Sequence, residues 1–234
     1  MSEDKKDPAK DHGVLYVGID LGTSRTSVAA SNGVRDTIPS FVGYPKDVVS
    51  RKLLKKDVLF GDEAIAKRLS LNLYRPLEHG VLKCGQNGTY EDSDDNARAA
   101  RDLLLESVRR LKPRKDELVY AVIGAPAQAS IKSKNAILEV ARESVDSVML
   151  CSEPFAVAYG QEMLEDVLVI DIGAGTVDLC RMHGTMPEDA DQITMETAGD
   201  FVDKELTRRI KESYPQAQFS VNMVKSMKEA ASKA

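Results

Sequence analysis

The 234-residue sequence predicts an α/β protein built from two similar lobes. Apolar, β-branched runs of strand length alternate with amphipathic helical segments, which is typical of the α/β class. The segments GIDLGTSRTS (18–27) and IDIGAGTVDL (170–179) share one layout: an apolar strand ending in Asp, a turn containing Gly and hydroxyl residues, and a second strand. This weak internal repeat predicts two lobes that face one another, with a boundary near residue 165.

The predicted strands are short apolar or β-branched runs bounded by turn residues. VLYVGID (14–20) leads into the first turn, and the strand after that turn ends at Asn32–Gly33. Residues 34–42 follow as an extended segment, and Pro39 suits a sheet edge because proline cannot donate to a ladder. The remaining predicted strands are LVYAVIGAP (118–126), SVMLCSEP (147–154, with the strand ending at Glu153), DVLVIDIG (166–173), TVDLCRMHG (176–184) and DQITMETAGD (191–200).

The predicted helices carry apolar residues at spacings of three and four. The clearest is ARAARDLLLESVRRLK (97–112), which follows a polar loop at 86–96. Residues 46–57 are ambiguous between strand and helix, whereas 58–69 indicates a short strand, a Gly turn and a helix that opens with two acidic residues. Further helices are predicted at 128–145, 155–164, 201–214 and 222–234.

Composition excludes several classes of protein. The net charge of −5 and the pI of about 5.4 argue against a general nucleic-acid-binding surface. No apolar run is long enough for a membrane helix, and residues 1–13 lack the apolar region of a signal peptide, so we expect a disordered tail and no direct membrane insertion. Cys84, Cys151 and Cys180 are widely spaced and form no CxxC motif. They indicate a reducing, cytoplasmic location in which each thiol is a small core residue.

The two repeated turns are suited to binding phosphate. Glycine lets backbone N–H groups approach an anion closely, and the hydroxyls of Thr23, Ser24 and Thr176 add donors. Asp20 and Asp171 stand at the entrances, where carboxylates beside phosphate require a divalent cation such as Mg²⁺ between them. Either hairpin alone could be a tight β-turn with Asp as a turn residue. Both together favour a magnesium–nucleotide site, and neither the P-loop nor the GxGxxG pattern is present.

Six motifs in order resemble the actin superfamily of ATPases, and within it the filament-forming bacterial actins, including those of magnetosome chains. The two repeated turns are similar to the family's two phosphate motifs, and SEPFAVAYG (152–160) to its connecting motif. Three further stretches carry the resemblance: IPSFVGY and VLFGDEA after the first hairpin, YRPLEHGVL (74–82) with its Arg-Pro-x-x-x-Gly pattern, and TAGDFVDKEL (197–206).

The resemblance implies an actin-like (ribonuclease-H-like) two-lobe ATPase fold. A first lobe at 14–165 would carry a smaller inserted upper part at about 34–90, and 166–234 would form the second lobe. The family's later adenosine motif, a Gly-Gly-Gly turn after a strand, is missing from the sequence. We therefore expect the second lobe to be incomplete, with an open sheet edge and an uncovered apolar face.

The resemblance also implies roles for individual residues. Asp20 and Asp171 would hold Mg²⁺ mostly through water, Asp171 would count among the catalytic residues, and Glu153 would position or deprotonate the attacking water. Asp178 would support the second turn. His79 and His183 are expected to be surface or structural residues. The implied ATP-binding residues are Gly22, Thr23, Ser24, Gly173, Gly175 and Thr176 at the phosphates, Gly199 and Asp200 at the sugar, and Lys228 beside the base or ribose.

Three functions follow from the resemblance. The first is an ATPase that self-associates into cytoskeletal filaments beside magnetosomes, with magnetosome-associated proteins as partners. The second is a truncated, non-polymerising paralogue that modulates a full-length bacterial actin. The third, a chaperone-type or sugar-kinase ATPase, is disfavoured because the sequence contains neither a peptide-binding domain nor room for an inserted substrate domain.

Overall fold

The computed structural model describes residues 13–83, 95–184 and 186–232. The strands are β1 (Val14–Leu21), β2 (Arg25–Ala30), β3 (Arg35–Pro39), β4 (Val42–Pro45), β5 (Leu59–Phe60), β6 (Leu71–Tyr74), β7 (Leu77–Glu78), β8 (Val81–Leu82), β9 (Leu118–Ala125), β10 (Ser147–Ser152), β11 (Val167–Ile172), β12 (Val177–Met182) and β13 (Gln192–Met195). The helices are α1 (Val48–Leu54), α2 (Gly61–Ala66), α3 (Asp95–Arg110), α4 (Ile131–Arg142), α5 (Glu153–Gly160), α6 (Gly199–Ser213) and α7 (Val221–Ala231), with short 3-10 turns at Arg68–Ser70 and Asp189–Asp191.

The first sheet has the order β10-β9-β1-β2-β3. β1 runs parallel to β9 and antiparallel to β2, and β9 runs parallel to β10. Because residues alternate between the two faces of a strand, Leu15, Val17, Ile19 and Leu21 of β1 all enter one core, which α3 and α4 cover. The parallel strands place the carboxyl ends of β1, β9 and β10 at one edge of the sheet.

A smaller unit lies between β3 and α3. β4 pairs with both β5 and β6, and Leu59, Ala64 and Leu71 form its core. The ambiguous segment 46–57 is helical over α1, because the Asp47 side chain caps it by accepting a hydrogen bond of 2.7 Å from the Ser50 amide. β7 and β8 form a separate two-stranded hairpin.

The second sheet is an antiparallel meander of β11, β12 and β13. Its covered face contributes Val169, Cys180 and Met182 to a small core, against which α5 packs through Phe155 and Ala158. α6 and α7 pack against each other further along the chain.

Several predicted boundaries are wrong by a few residues. The prediction that a strand continues to Glu153 is wrong: β10 ends at Ser152, and Glu153 is the first residue of α5, because a proline in the first turn has the backbone angle that a helix requires. The predicted strand at 191–200 stops at Met195, and α6 already begins at Gly199. Cys84 and nearly all of the predicted tail and polar loop lie outside the described residues, whereas Cys180 is buried and Cys151 half-buried.

Both sheets leave one apolar face open. Tyr16 and Met149 on the first sheet are 61% and 59% exposed, and Leu168 and Ile170 on the second are 59% and 56% exposed. The open face of the second sheet matches the expectation from the sequence, whereas the open face of the first sheet was not predicted. Among the described residues, no helix has the length and apolar character needed to cross a membrane.

Candidate functional site

The two repeated turns are both tight. At the first, β1 and β2 pair as far as Leu21 and Thr26, and a Cβ added to Gly22 would lie 2.5 Å from the Arg25 carbonyl oxygen. At the second, a Cβ added to Gly173 would lie 3.2 Å from the carbonyl oxygen of Thr176, to which the Gly173 amide donates a hydrogen bond of 2.9 Å. Each turn therefore depends on a glycine at its start, as the sequence indicated.

The structure brings the two turns into contact with each other. A Cβ on Gly175 in the second turn would lie 2.4 Å from the Thr23 hydroxyl oxygen in the first. Thr23 and Thr176 are both buried, at 5% and 7% exposure. The two turns thus meet in a buried contact between the first and second sheets.

Ser40 braces the first turn, a contact that the sequence analysis missed. Its hydroxyl donates to the Gly22 carbonyl at 2.7 Å, and its amide donates to the Ser24 carbonyl at 2.9 Å. Ser40 is fully buried and also lies 3.0 Å from the Thr26 hydroxyl. It comes directly after the strand-ending Pro39, so its only sequence signal was its place in the IPSFVGY motif.

The tip of the β7–β8 hairpin forms a third wall of the site. His79 and Gly80 both have positive φ angles, 51° and 69°, as a two-residue hairpin turn requires. The Gly80 amide donates to the Thr23 hydroxyl at 2.9 Å, and His79 Nδ1 lies 3.1 Å from the Gly175 carbonyl oxygen. His79 thus contacts the second turn directly, whereas the sequence analysis expected a surface or structural residue outside the site.

Four carboxyl groups gather where these strands end. Burial, followed by the negative charges of Asp20, Asp178 and Asp171, raises the pKa of Glu153 to about 8. Burial and the neighbouring Asp171 raise the pKa of Asp20, and burial and Asp178 raise that of Asp171. The site thus concentrates negative charge, and within the described part of the chain no lysine or arginine contributes to these three pKa shifts.

Asp178 is the best-anchored member of this acidic group. It is 1% exposed, and its Oδ1 accepts hydrogen bonds from the Ala127 amide at 3.1 Å and from the Thr194 hydroxyl. Gln128 strengthens the same junction, since its amide donates to the Thr194 hydroxyl at 3.1 Å. Asp178 therefore ties the segment after β9 to the second sheet, and the support of the second turn expected of it stays a prediction.

The donor set fits a magnesium ion. Carboxylate oxygens are the ligands that Mg²⁺ prefers, and the mutual repulsion of Asp20 and Asp171 would be relieved by a cation between them. In the described ranges, no group of three or more His, Cys, Asp or Glu side chains is placed to hold one metal ion. Asp20 and Asp171 are the residues that would hold such an ion, together with water and phosphate oxygens.

A cavity of about 610 Å³ opens beside these acids, a volume within the range of small-molecule sites. Asp20, Glu153 and Asp171 line it, and it extends along the open face of the first sheet past Cys151. Gly124 leaves room for the Glu153 side chain, because a Cβ added at Gly124 would lie 3.0 Å from the Glu153 Cγ.

The start of α6 lies against the second turn. The amides of Gly199 and Asp200 donate to the carbonyls of Gly173 and Ala174, at 3.2 and 2.8 Å. The Asp200 carboxylate is 2.8 Å from the guanidinium of Arg75, a residue that the sequence analysis did not single out. The only signal for Arg75 was the Arg-Pro-x-x-x-Gly pattern.

Lys228 has a different neighbour from the one expected. Its ammonium on α7 lies 2.6 Å from the carboxylate of Asp203 on α6, and Asp203 is buried. This ion pair neutralises the positive charge of Lys228 between α6 and α7. A contact of Lys228 with the base or ribose remains a prediction.

Comparisons with known proteins agree with this architecture. "Actin-like protein MamK" of Paramagnetospirillum magneticum is 42% identical over 215 residues, which is 92% of this chain and 60% of that protein. The solved MamK double helical filament superposes with a TM-score of 0.86 at 41% identity, covering 93% of this chain and 65% of the other. A non-polymerising MamK mutant bound to AMPPNP superposes with a TM-score of 0.68 at the same identity and coverage.

These similarities confirm the actin-like α/β fold and the resemblance to bacterial actins. This chain spans about three fifths of the length of the curated relative. That share agrees with the expectation of an incomplete second lobe. The family model described as MreB/Mbl protein matches residues 15–229. The chain therefore belongs to the MreB/Mbl family of actin-like proteins.

Proposed function

We propose that this chain binds ATP with Mg²⁺ between its two lobes, hydrolyses it, and assembles into cytoskeletal filaments. The observation that carries the proposal is the contact between the two glycine-containing turns, Thr23 against Gly175, beside a cluster of carboxyl groups. The filament and the AMPPNP complex of MamK support it by similarity. The proposed lobes are 14–165, with the inserted upper part at about 34–90, and 166–234.

Backbone N–H groups and hydroxyls of both turns would bind the phosphates. These residues are Gly22, Thr23, Ser24, Gly173, Gly175 and Thr176. Bound Mg²⁺ would supply charge neutralisation at the phosphates and at Asp20 and Asp171. Gly199 and Asp200 would lie towards the sugar, and Lys228 towards the base or ribose.

Glu153 is proposed to accept the proton of the attacking water. A carboxyl group is a useful general base when its pKa lies near the working pH, and burial together with the surrounding acids raises the pKa of Glu153 to about 8. Its place as the first residue of α5, with the aliphatic part of its side chain against Gly124, limits its movement. Phosphoryl transfer needs mainly this kind of positioning.

Assembly would proceed head to tail, because an open contact between two different surfaces produces a filament rather than a closed ring. We propose a cytoplasmic filament beside magnetosomes, with magnetosome-associated proteins as further partners. That location rests on the name of the relatives rather than on the geometry of this chain.

The test is pelleting after addition of ATP and Mg²⁺, with phosphate release measured in the same tube. Glu153→Ala should still pellet with ATP but release phosphate at least ~100-fold more slowly, the usual range for loss of a general base. Glu139→Ala, on the exposed face of α4, is the matched control and should behave as wild type. Unchanged phosphate release in Glu153→Ala would contradict the role of Glu153.

A second candidate is a non-polymerising protein that modulates a full-length bacterial actin. The open apolar faces of both sheets favour it, since such faces are typical of interaction sites. Co-sedimentation with a full-length relative, without pelleting alone, would identify this function. Pelleting alone with ATP would exclude it.

A further inference from the structure

Arg75 lies between the two phosphate turns and contacts both sides of the cleft. Its Nε donates a hydrogen bond of 2.8 Å to the Thr23 carbonyl in the first turn. Its Nη2 is 2.8 Å from the Asp200 carboxylate at the start of α6. The two charged side chains are 27% and 23% exposed, so solvent screens their attraction less than at an open surface.

The Asp200 end of this bridge is fixed to the second turn. The Asp200 amide donates to the Ala174 carbonyl at 2.8 Å, and a Cβ on the neighbouring Gly199 would lie 3.3 Å from the Gly173 carbonyl oxygen. The continuous series of contacts therefore runs from Thr23 through Arg75 and Asp200 into the second turn.

The chemistry of arginine suits both contacts at once. A planar guanidinium presents several N–H donors at fixed angles, whereas a lysine ammonium acts as one mobile point charge. In a trans peptide the carbonyl and the following N–H point in opposite directions. The hydrogen bond from Arg75 to the Thr23 carbonyl therefore also sets the direction of the Ser24 N–H, one of the donors proposed for phosphate.

We propose that Arg75 is a positioning residue that clasps the two phosphate turns together through Asp200 and orients the first turn. The inference rests on the proposed function, because it assigns Arg75 to a site that binds the phosphates of a nucleotide. The clasp itself joins protein groups only, so it can be tested with and without nucleotide.

The experiment compares Arg75→Gln, Asp200→Asn and the double variant, first by amide hydrogen exchange of the nucleotide-free protein at residues 72–83 and 196–203. Hydrogen bonds to charged groups have net effects that correspond to about tenfold or more in an equilibrium. Each single variant should accelerate exchange about tenfold, and the double variant should be no faster than the faster single variant, because both substitutions remove one shared pair.

The second measurement is the dissociation constant of a fluorescent ATP analogue with Mg²⁺, together with its binding stoichiometry. Arg75→Gln should weaken binding about tenfold at unchanged stoichiometry, whereas a merely misfolded variant would lower the stoichiometry. Arg75→Lys should fall between wild type and Arg75→Gln, since it keeps a charge for Asp200 but lacks the fixed second donor.

Arg181→Gln is the matched control, because it removes an arginine from an Arg–Asp pair of 2.9 Å at the surface of the second sheet. It should change neither measurement. The clasp would be overturned if amide exchange in Arg75→Gln were no faster than in Arg181→Gln. It would also be overturned if the accelerations of the two single variants multiplied in the double variant. Failure of the wild type to bind the analogue would overturn the proposed function instead, and hydrogen exchange would still decide the clasp.

Discussion

Replacement of Glu153 by glutamine should make the nucleotide-free protein more stable, increasingly so as the pH rises. In the folded protein the pKa of Glu153 is about 8, so it keeps its proton up to that pH, whereas in the unfolded chain it ionises near its ordinary pKa of 4.5. The folded state therefore binds more protons than the unfolded state between these values. The free energy of unfolding of the wild type must fall as the pH rises through this window.

The magnitude follows from the displacement of the pKa. A change from 4.5 to about 8 corresponds to a loss of about 5 kcal/mol above pH 8, and to about 3 kcal/mol at pH 7. Glutamine carries no charge in either state, so Glu153→Gln escapes this loss. Its advantage over wild type should shrink below about 1 kcal/mol at pH 5.

The assay is urea unfolding of wild type and Glu153→Gln from pH 5 to pH 9, with EDTA and without nucleotide. Glu139→Gln makes the same chemical change on the exposed face of α4 and serves as the control. A difference between wild type and Glu153→Gln that does not grow with pH, or that equals the difference for Glu139→Gln, would refute the reasoning.

Three further changes test the packing around the site. Gly175→Ala would place a Cβ 2.4 Å from the Thr23 hydroxyl oxygen of the first turn, so titration with a fluorescent ATP analogue should show about tenfold weaker binding or more. The control is Gly160→Ala, where an added Cβ meets nothing within 4 Å, and it should leave the affinity unchanged. Lys228→Met leaves the buried Asp203 carboxylate unpaired and should lower the free energy of unfolding by about 3 kcal/mol, measured in urea, with most of this loss regained when Asp203→Asn is added. Ser40→Ala removes the hydroxyl that donates to the Gly22 carbonyl in the first turn, and it should lower the free energy of unfolding by about 1–3 kcal/mol, again measured in urea. If the loss is smaller than that caused by replacing an exposed serine with alanine, Ser40 does not brace the turn.

Much of the secondary structure follows from local pattern. β1 and β9 were predicted within one residue of their observed ends, because a short, continuous apolar and β-branched run indicates a buried strand. The start of α5 was not predicted, because a run of residues before a proline is compatible with a strand end or a helix start. The segment 46–57 also stayed ambiguous until the cap at Asp47 and the packing of the upper unit favoured a helix.

The two glycine-containing turns were recognised because glycine and hydroxyl residues act locally. A tight turn needs its glycine wherever it lies in the fold, so the requirement is visible in the sequence itself. Ser40, Arg75 and His79 were not recognised as parts of the site. Arg75 is 52 positions from Thr23, and His79 is 96 positions from Gly175, and no local pattern encodes such contacts.

The sequence by itself determined the α/β class, the two turns and the carboxylates that accompany them, because these depend on periodicity and on the chemistry of neighbouring residues. Only the tertiary structure decided that the turns touch, that a hairpin tip and Arg75 join them, and that the pKa of Glu153 rises to about 8. Burial and electrostatic repulsion depend on distances through space, and these arise only when strands remote in the chain end at the same edge of a sheet.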